Sequence, residues 1–179
     1  MNRIVALLGT FFAAAAAPVA AQDIPELALS PGEAVTVRID GGGRGMAPER
    51  GKAEWSDFDV YAARHLAGIT PPEAPTPVAT PFPSSSADPN PGPVPAGLVR
   101  VRLHSIAGKP TLLVVENGLD RALAYRARMT ANGQSRPTDV CVVMPGQPSY
   151  EHWPHPIDRI ELSAFRHVPW TPDQPPTCE

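Results

Sequence analysis

Hydrophobic and polar residues alternate with a period of two along much of this chain, and such alternation predicts strands with one buried face. The first run covers residues 33–39 and follows a Pro-Gly turn dipeptide. Further runs are predicted over residues 99–104, 111–115, 123–130, 139–144 and 157–168. The run at 111–115 is apolar on both faces, which is typical of a central strand. We expect a bulge near Ala164 to interrupt the last strand.

Two Asn-Gly pairs predict where strands reverse. Asn117-Gly118 follows the run at 111–115, and Asn132-Gly133 precedes the run at 139–144. Asn-Gly favours two-residue hairpin loops because both residues adopt positive φ readily. Six strands joined by such turns predict a mainly β chain, folded as an antiparallel, immunoglobulin-like β-sandwich with one short helix and a long proline-rich loop.

The predicted helix follows a glycine-rich run at residues 41–45. Ser56 is the candidate N-cap, Asp59 stands three residues later, and Gly68 comes after the predicted end. The residues expected on its buried stripe are Phe58, Ala62, Leu66 and Trp55. Because residues 60 and 61 would also suit a strand, a strand stays open as the alternative.

The amino-acid composition changes abruptly at residues 71–97, which separate the N-terminal part of the chain from the C-terminal part. This segment holds ten prolines and only two charged residues, Glu73 and Asp88. It cannot form a core, so we expect an extended linker or exposed loop. Residues 22–70 offer one strand and one helix, and we expect them to pack on the core strands within 98–179. Two separately folding domains are the alternative.

The first 21 residues have the pattern of a cleavable secretory signal. Arg3 supplies a positive start, residues 4–17 are apolar and uncharged, and Pro18 ends the run. Val19 and Ala21 favour cleavage before Gln22. The apolar run is shorter than the roughly 20 residues of a membrane span. The sequence therefore predicts an exported protein, periplasmic or secreted, with no membrane span in the mature chain.

The net charge of the chain argues against one class of partner, nucleic acids. The full chain has a formal charge of −3, and loss of Arg3 with the signal would leave −4. This mild acidity argues against nucleic-acid binding, which needs a basic field.

Two cysteines, Cys141 and Cys178, both lie in the exported part. In an oxidising compartment they are expected to form an intramolecular disulfide bond.

A resemblance to small uncharacterised exported bacterial proteins rests on three stretches. They are residues 114–129, which read VVENGLDRALAYRARM, then Pro137-Thr138-Asp139-Val140-Cys141, and Glu151-His152-Trp153. The three stretches hold 24 of the 179 residues, and the resemblance is taken to extend over about a third of the chain. The resemblance implies only an exported, β-rich protein, and it carries no active-site residue over to this chain.

Residues 145–156, which we expect to form a loop, are the most unusual polar and aromatic stretch. His152 and His155, with a nearby carboxylate, could bind Cu(II) or Zn(II), while Tyr150 and Trp153 could contact a partner. Prolines at 154 and 156 exclude a regular helix that would hold both imidazoles on one face. Packing of Trp153 beside two solvated histidines is the alternative.

Arginines recur at a period of two on two predicted strands. Arg100 and Arg102 form one pair, and Arg126 and Arg128 form the other. Each pair projects from one sheet face. If the two strands share a sheet, the four side chains form a cationic stripe for an anionic partner. An ordinary solvated face balanced by Glu116 and Glu161 is the alternative.

No catalytic motif or cofactor site is recognised in the sequence. It lacks Gly-x-Ser-x-Gly and His-Glu-x-x-His, and the glycine run at 41–45 lacks the Gly-Lys-Ser/Thr ending of a phosphate loop. The leading hypothesis is a non-catalytic periplasmic interaction or accessory module that contacts an envelope protein or an anionic surface. A periplasmic metal-binding protein is the second hypothesis, and a hydrolase the third.

Overall fold

The computed structural model describes residues 24–39, 44–68, 93–105, 110–171, 173, 175, 177 and 178. The expected signal peptide, the glycines at 41–43 and residues 71–92 of the proline-rich segment lie outside them. In chain order, the elements are β1 Leu27–Leu29, β2 Glu33–Arg38, β3 Glu49–Lys52, α1 Asp57–Leu66, β4 Leu98–Ser105, β5 Thr111–Asn117, β6 Ala122–Ala131, β7 Gln134–Thr138, β8 Gln147–Trp153 and β9 Arg159–Val168.

These strands form two antiparallel sheets. One sheet has the order β1-β9-β6-β7, and the other has the order β3-β2-β4-β5-β8. The main apolar core draws on both sheets, with Val35, Leu103 and Leu113 from the second and Leu123 and Ile160 from the first. The prediction of a mainly β, antiparallel sandwich with one short helix is confirmed.

Residues 24–68 contribute to both sheets. β1 pairs with β9 in the four-stranded sheet, and β2 pairs with β4 in the five-stranded sheet. β3 is an edge strand whose four residues are all exposed. The N-terminal strands therefore complete sheets that the later strands build.

The central position of β5 explains its doubly apolar sequence. It lies between β4 and β8, and all seven of its residues are buried. Leu113 and Val115 face the main core, whereas Leu112 and Val114 form a smaller cluster with Val60 of α1. The helix thus covers the outer face of the five-stranded sheet.

One of the two predicted hairpins is confirmed. Asn132 and Gly133 join β6 to β7 as a two-residue loop, with φ of 52° and 72°. The bulge near Ala164 is also confirmed, because the pairing of β9 with β6 shifts between Ala124 and Arg126. Ala164 itself has a φ of 51°.

The hairpin predicted at Asn117-Gly118 is wrong, because β5 and β6 belong to different sheets. The buried Asn117 amide donates to the carbonyls of Arg121, Val143 and Met144 at 2.8, 3.0 and 3.2 Å. A Cβ on Gly118 would lie 1.9 Å from the Pro95 carbonyl oxygen. Asn117 and Gly118 therefore lie where the chain passes from one sheet to the other, and only glycine fits at position 118.

The strand predicted at 139–144 is also wrong. That segment forms only isolated bridges, and the strands on either side of it are β7 and β8. The loop predicted at 145–156 is wrong for residues 147–153, which form β8, and β7 and β8 each contain a proline, Pro137 or Pro148. Both are edge strands, where the missing N–H of proline is tolerated.

The helix begins where the sequence predicts, but its buried stripe differs. Ser56 caps α1 in a capping box with Asp59. The buried residues are Asp59, Val60, Ala62 and Ala63. Leu66 is 45% exposed, so its predicted burial is wrong. The helix is rotated so that Asp59 faces the sheet. Within the described residues, no helix is long and apolar enough to span a membrane.

Candidate functional site

The two arginine pairs lie in different sheets. Arg100 and Arg102 are on β4 of the five-stranded sheet, and Arg126 and Arg128 are on β6 of the four-stranded sheet. The single cationic stripe required both strands in one sheet, so the four arginines do not form it. Each pair has its own surroundings.

The first pair belongs to a charge cluster beneath α1, called here the buried charge cluster, in which only the Arg100 side chain is substantially exposed, at 39%. The cluster consists of Asp59, Arg100, Arg102, His104 and Glu116. Both terminal nitrogens of Arg102 bind the Asp59 carboxylate, Nη2 at 3.0 Å from Oδ1. Arg102 Nη1 also donates to the Glu54 carbonyl at 3.0 Å. Arg100 binds Glu116 through two nitrogens, with Nη2 at 2.8 Å from Oε1.

Asp59 joins the helix cap to this buried charge cluster. Its Oδ2 accepts a hydrogen bond from the Ser56 N–H at 2.8 Å, while its own N–H donates to Ser56 Oγ. Burial alone would raise the pKa of Asp59, but the nearby His104 imidazole and the hydrogen bonds and charge of Arg102 hold it well below its usual range. Asp59 therefore stays ionised beneath the helix.

Aromatic rings pack against the buried charge cluster. His104 is 1% exposed and stacks on Trp55 with 4.1 Å between ring centroids. Its Nε2 lies 3.6 Å from Asp59 Oδ2. Burial, and then the charge of Asp59, raises the pKa of Tyr150, which stays neutral. Since its charged groups are bound to one another, the buried charge cluster fastens α1 to the sheet.

The second pair lines a groove of about 590 Å³ on the outside of the four-stranded sheet. Its lining residues are Arg126, Ala127, Arg128, Pro137, Thr138, Asp139 and Ser163, and we call it the arginine groove. Arg126 and Arg128 are exposed. Among the described residues, neither guanidinium has an ion-pair or hydrogen-bond partner. These two cations are therefore available to a ligand.

The pairing of β6 with β9 extends the same face beyond the groove. Ser163 lies opposite Arg126, and Glu161 lies opposite Arg128. Opposed residues share a sheet face, so Arg166, opposite Ala124, and Arg159, opposite Thr130, lie on it too. Arg159 binds Glu161 at 3.1 Å. The face holds four arginines along about 20 Å of strand.

The two aromatic candidates are directed away from solvent. Trp153 is buried in the main core, and its Nε1 donates to Thr138 Oγ1 at 2.9 Å. Tyr150 is half-buried and lies against Phe58 of the helix, with 5.3 Å between ring centroids. Neither forms an exposed aromatic patch.

The two histidine candidates lie at the end of β8 and just after it. The Nε2 atoms of His152 and His155 are buried and have no hydrogen-bond partner among the described residues. Burial lowers the pKa of His152, which favours its neutral form. Within the described parts of the chain, no group of three or more His, Cys, Asp or Glu residues could hold a metal ion. The two-histidine metal site stays a prediction.

The Cys141–Cys178 disulfide bond is present. The Val142 N–H donates to the Thr177 carbonyl at 2.9 Å beside it. The bond thus ties the C-terminal residues to the segment that follows Asp139. Glu151 Oε1 accepts the Cys141 N–H at 2.8 Å. Burial raises the pKa of Glu151, and hydrogen bonds from the Cys141 N–H and the Ser149 side chain only partly oppose this rise.

Sequence reasoning identified Arg126 and Arg128 but missed the other residues of the arginine groove. Asp139 and Ser163 come from segments outside β6, and only the register of the sheet brings them to the same face. No family model, curated protein or solved structure matches the chain.

Proposed function

We propose that this protein is an exported, non-catalytic interaction module that binds an anionic partner through the arginine groove. One observation carries the proposal: Arg126 and Arg128 are exposed and form no ion pair with any described residue. The chain as a whole has a net charge of −3, so this cationic face stands out from the rest. Its field attracts anions and orients them toward one side of the molecule.

The frame supports a binding role. In a β-sandwich, the outward residues of a strand stand at a fixed spacing. Arg126 and Arg128 are two residues apart on β6, which places their α-carbons about 7 Å apart. Two guanidinium groups at that spacing can each bind an oxyanion with paired hydrogen bonds.

Export is supported by the signal-like first 21 residues and by the Cys141–Cys178 bond. Disulfide bonds persist in oxidising compartments such as the periplasm. N-terminal sequencing of protein recovered from a periplasmic fraction tests this part of the proposal. The expected first residue is Gln22, and recovery in the cytoplasm with Met1 retained would contradict it.

Binding is tested by retention on a carboxylate-bearing cation-exchange resin at neutral pH and low salt. We expect the protein to be retained despite its net negative charge, because the arginine groove presents its cations on one face. Retention should weaken as salt is added, since exposed charges are screened. The R126Q/R128Q variant should pass through without retention.

A matched control removes two other exposed arginines. The R38Q/R136Q variant has the same net charge as R126Q/R128Q, but Arg38 is on β2 and Arg136 faces away from the groove on β7. It should be retained like the unaltered protein. Equal loss of retention in both variants, or no retention of the unaltered protein, would contradict the proposed function.

A further inference from the structure

The arginine groove combines hydrogen-bond donors with acceptors. Arg126 and Arg128 supply guanidinium donors, Asp139 supplies a carboxylate acceptor, and Ser163 supplies a hydroxyl that can do both. A ligand that carried only negative charge would be repelled by Asp139. A ligand with both carboxylates and hydroxyls satisfies all four side chains.

The shape of the face favours an extended ligand. Arg166 and Arg159 flank the arginine groove at its two ends, opposite Ala124 and Thr130. Six residues of strand separate these positions, or about 20 Å. A single small anion would occupy only a fraction of this length, so the geometry fits a linear polymer that lies along β6.

A lipid surface fits the face poorly. Membrane-binding faces combine cations with large apolar side chains that enter the bilayer. The exposed large hydrophobic residues of the described chain are Met46 and Leu66. Met46 precedes β3 and Leu66 ends α1, so neither lies on the four-stranded sheet. Glu161 and Asp139 would also oppose a continuous anionic surface.

A protein partner is also disfavoured. The centres of protein interfaces are enriched in buried aromatic anchors, which supply most of the binding energy. The arginine groove contains no aromatic residue. The nearest aromatic candidate, Trp153, is buried in the core beneath Thr138.

From these features we infer that the partner is a linear polysaccharide that bears carboxylate groups. Its carboxylates bind the guanidinium groups of Arg126 and Arg128, and its hydroxyls bind Asp139 and Ser163. The polysaccharide lies along β6. This inference rests on the proposed function, because it names the class of anion that the same groove binds.

Isothermal titration calorimetry with polygalacturonate tests the inference. Neutral dextran, dextran sulfate and phosphatidylglycerol vesicles serve as the comparison ligands. Polygalacturonate should bind most tightly, and R126Q/R128Q should weaken its binding about tenfold or more, as loss of charged hydrogen bonds does. R38Q/R136Q should bind like the unaltered protein.

Asp139 separates specific recognition from general attraction between charges. D139A should weaken polygalacturonate binding about tenfold, because it removes an acceptor for sugar hydroxyls. If binding were general attraction to anions, D139A would strengthen it, since a negative charge has been removed. D139N keeps an acceptor atom and should lose less affinity than D139A. Circular dichroism confirms that both variants fold.

The outcomes distinguish the two proposals. Arginine-dependent binding that is as tight for dextran sulfate or vesicles as for polygalacturonate overturns the polysaccharide inference and leaves the proposed function standing. So does tighter binding by D139A. If no anionic ligand shows binding that depends on Arg126 and Arg128, both proposals are overturned.

Discussion

The two arginine pairs have the same spacing in the sequence and opposite surroundings in the fold. Arg102 is 8% exposed and bound to Asp59 and Glu116 beneath α1. Arg126 and Arg128 are exposed on the other sheet, where they form no ion pair with any described residue. A period-two pattern thus fixes which face a strand residue occupies, whereas the element that covers that face decides its role.

The covering element is the helix. Among the described residues, α1 lies on the outer face of the five-stranded sheet, and Val60 and Ala63 contact Leu112 and Val114 there. The outer face of the four-stranded sheet has no such helix in the described parts. We therefore assign Arg100 and Arg102 to stability, and Arg126 and Arg128 to binding.

Loss of Arg102 should have the largest effect on stability. R102A leaves the Asp59 carboxylate buried without its main partner, which typically costs about 3–5 kcal/mol. Chemical denaturation measures the change in the free energy of unfolding. A loss below about 1 kcal/mol would mean that α1 is held without this ion pair.

Removal of the disulfide bond should have a slightly smaller effect. The bond joins residues separated by 37 positions. Loop closure of this size stabilises the folded state by about 3–4 kcal/mol in the chain-entropy account. The C141S/C178S variant, compared by denaturation with the oxidised protein, should show this loss. If the variant and the oxidised protein were equally stable, the bond to Cys178 would not constrain the segment after Asp139.

Acid pH should remove the stability that the Asp59 carboxylate gives to the fold. Burial would raise the pKa of Asp59, but His104 and Arg102 lower it overall, so its folded-state pKa lies below the unfolded one. Such a carboxylate stabilises the fold above the unfolded pKa, and this contribution is lost as pH falls toward the folded pKa. The free energy of unfolding should therefore decrease below about pH 5.

The D59N variant tests this assignment. It should start from lower stability at neutral pH and show a flatter decline as acid is added. D139A, which alters an exposed carboxylate in the arginine groove, should keep the slope of the unaltered protein. If D59N and the unaltered protein decline in parallel, Asp59 is not the group responsible.

Changes in the arginine groove should have the smallest effect on stability. R126Q/R128Q should shift the free energy of unfolding by no more than about 0.5 kcal/mol, as expected for exposed residues without partners. Denaturation alongside R102A makes the comparison direct. A loss of several kcal/mol would place Arg126 and Arg128 in the structural framework instead.

The sequence predicted features that local pattern determines. Alternation predicted the inward side chains of β6, the Asn132-Gly133 loop and the Ser56 cap, because each depends on neighbours in the chain. The Ala164 bulge falls in the same group. Such features need no knowledge of the other sheet.

Errors arose where distant segments decide the structure. The sequence Asn117-Gly118 is typical of a hairpin. In the structure, however, the Asn117 side-chain amide donates hydrogen bonds to distant carbonyls and Gly118 packs against the Pro95 carbonyl, because the chain passes here from one sheet to the other. Asp59 was recognised as a capping residue, while its partner Arg102 lies 43 positions away. The loop predicted at 145–156 missed β8, because the edge position at which Pro148 is tolerated follows only from the sheet order.

The most direct test of the division between the two arginine pairs is to map backbone amide chemical shifts by NMR while polygalacturonate is added. The largest changes should fall at Arg126, Arg128 and the residues opposite them on β9, chiefly Ser163. Amides of α1 and of Arg100 and Arg102 should not move. Changes centred on α1 and β4, with none on β6, would contradict the account.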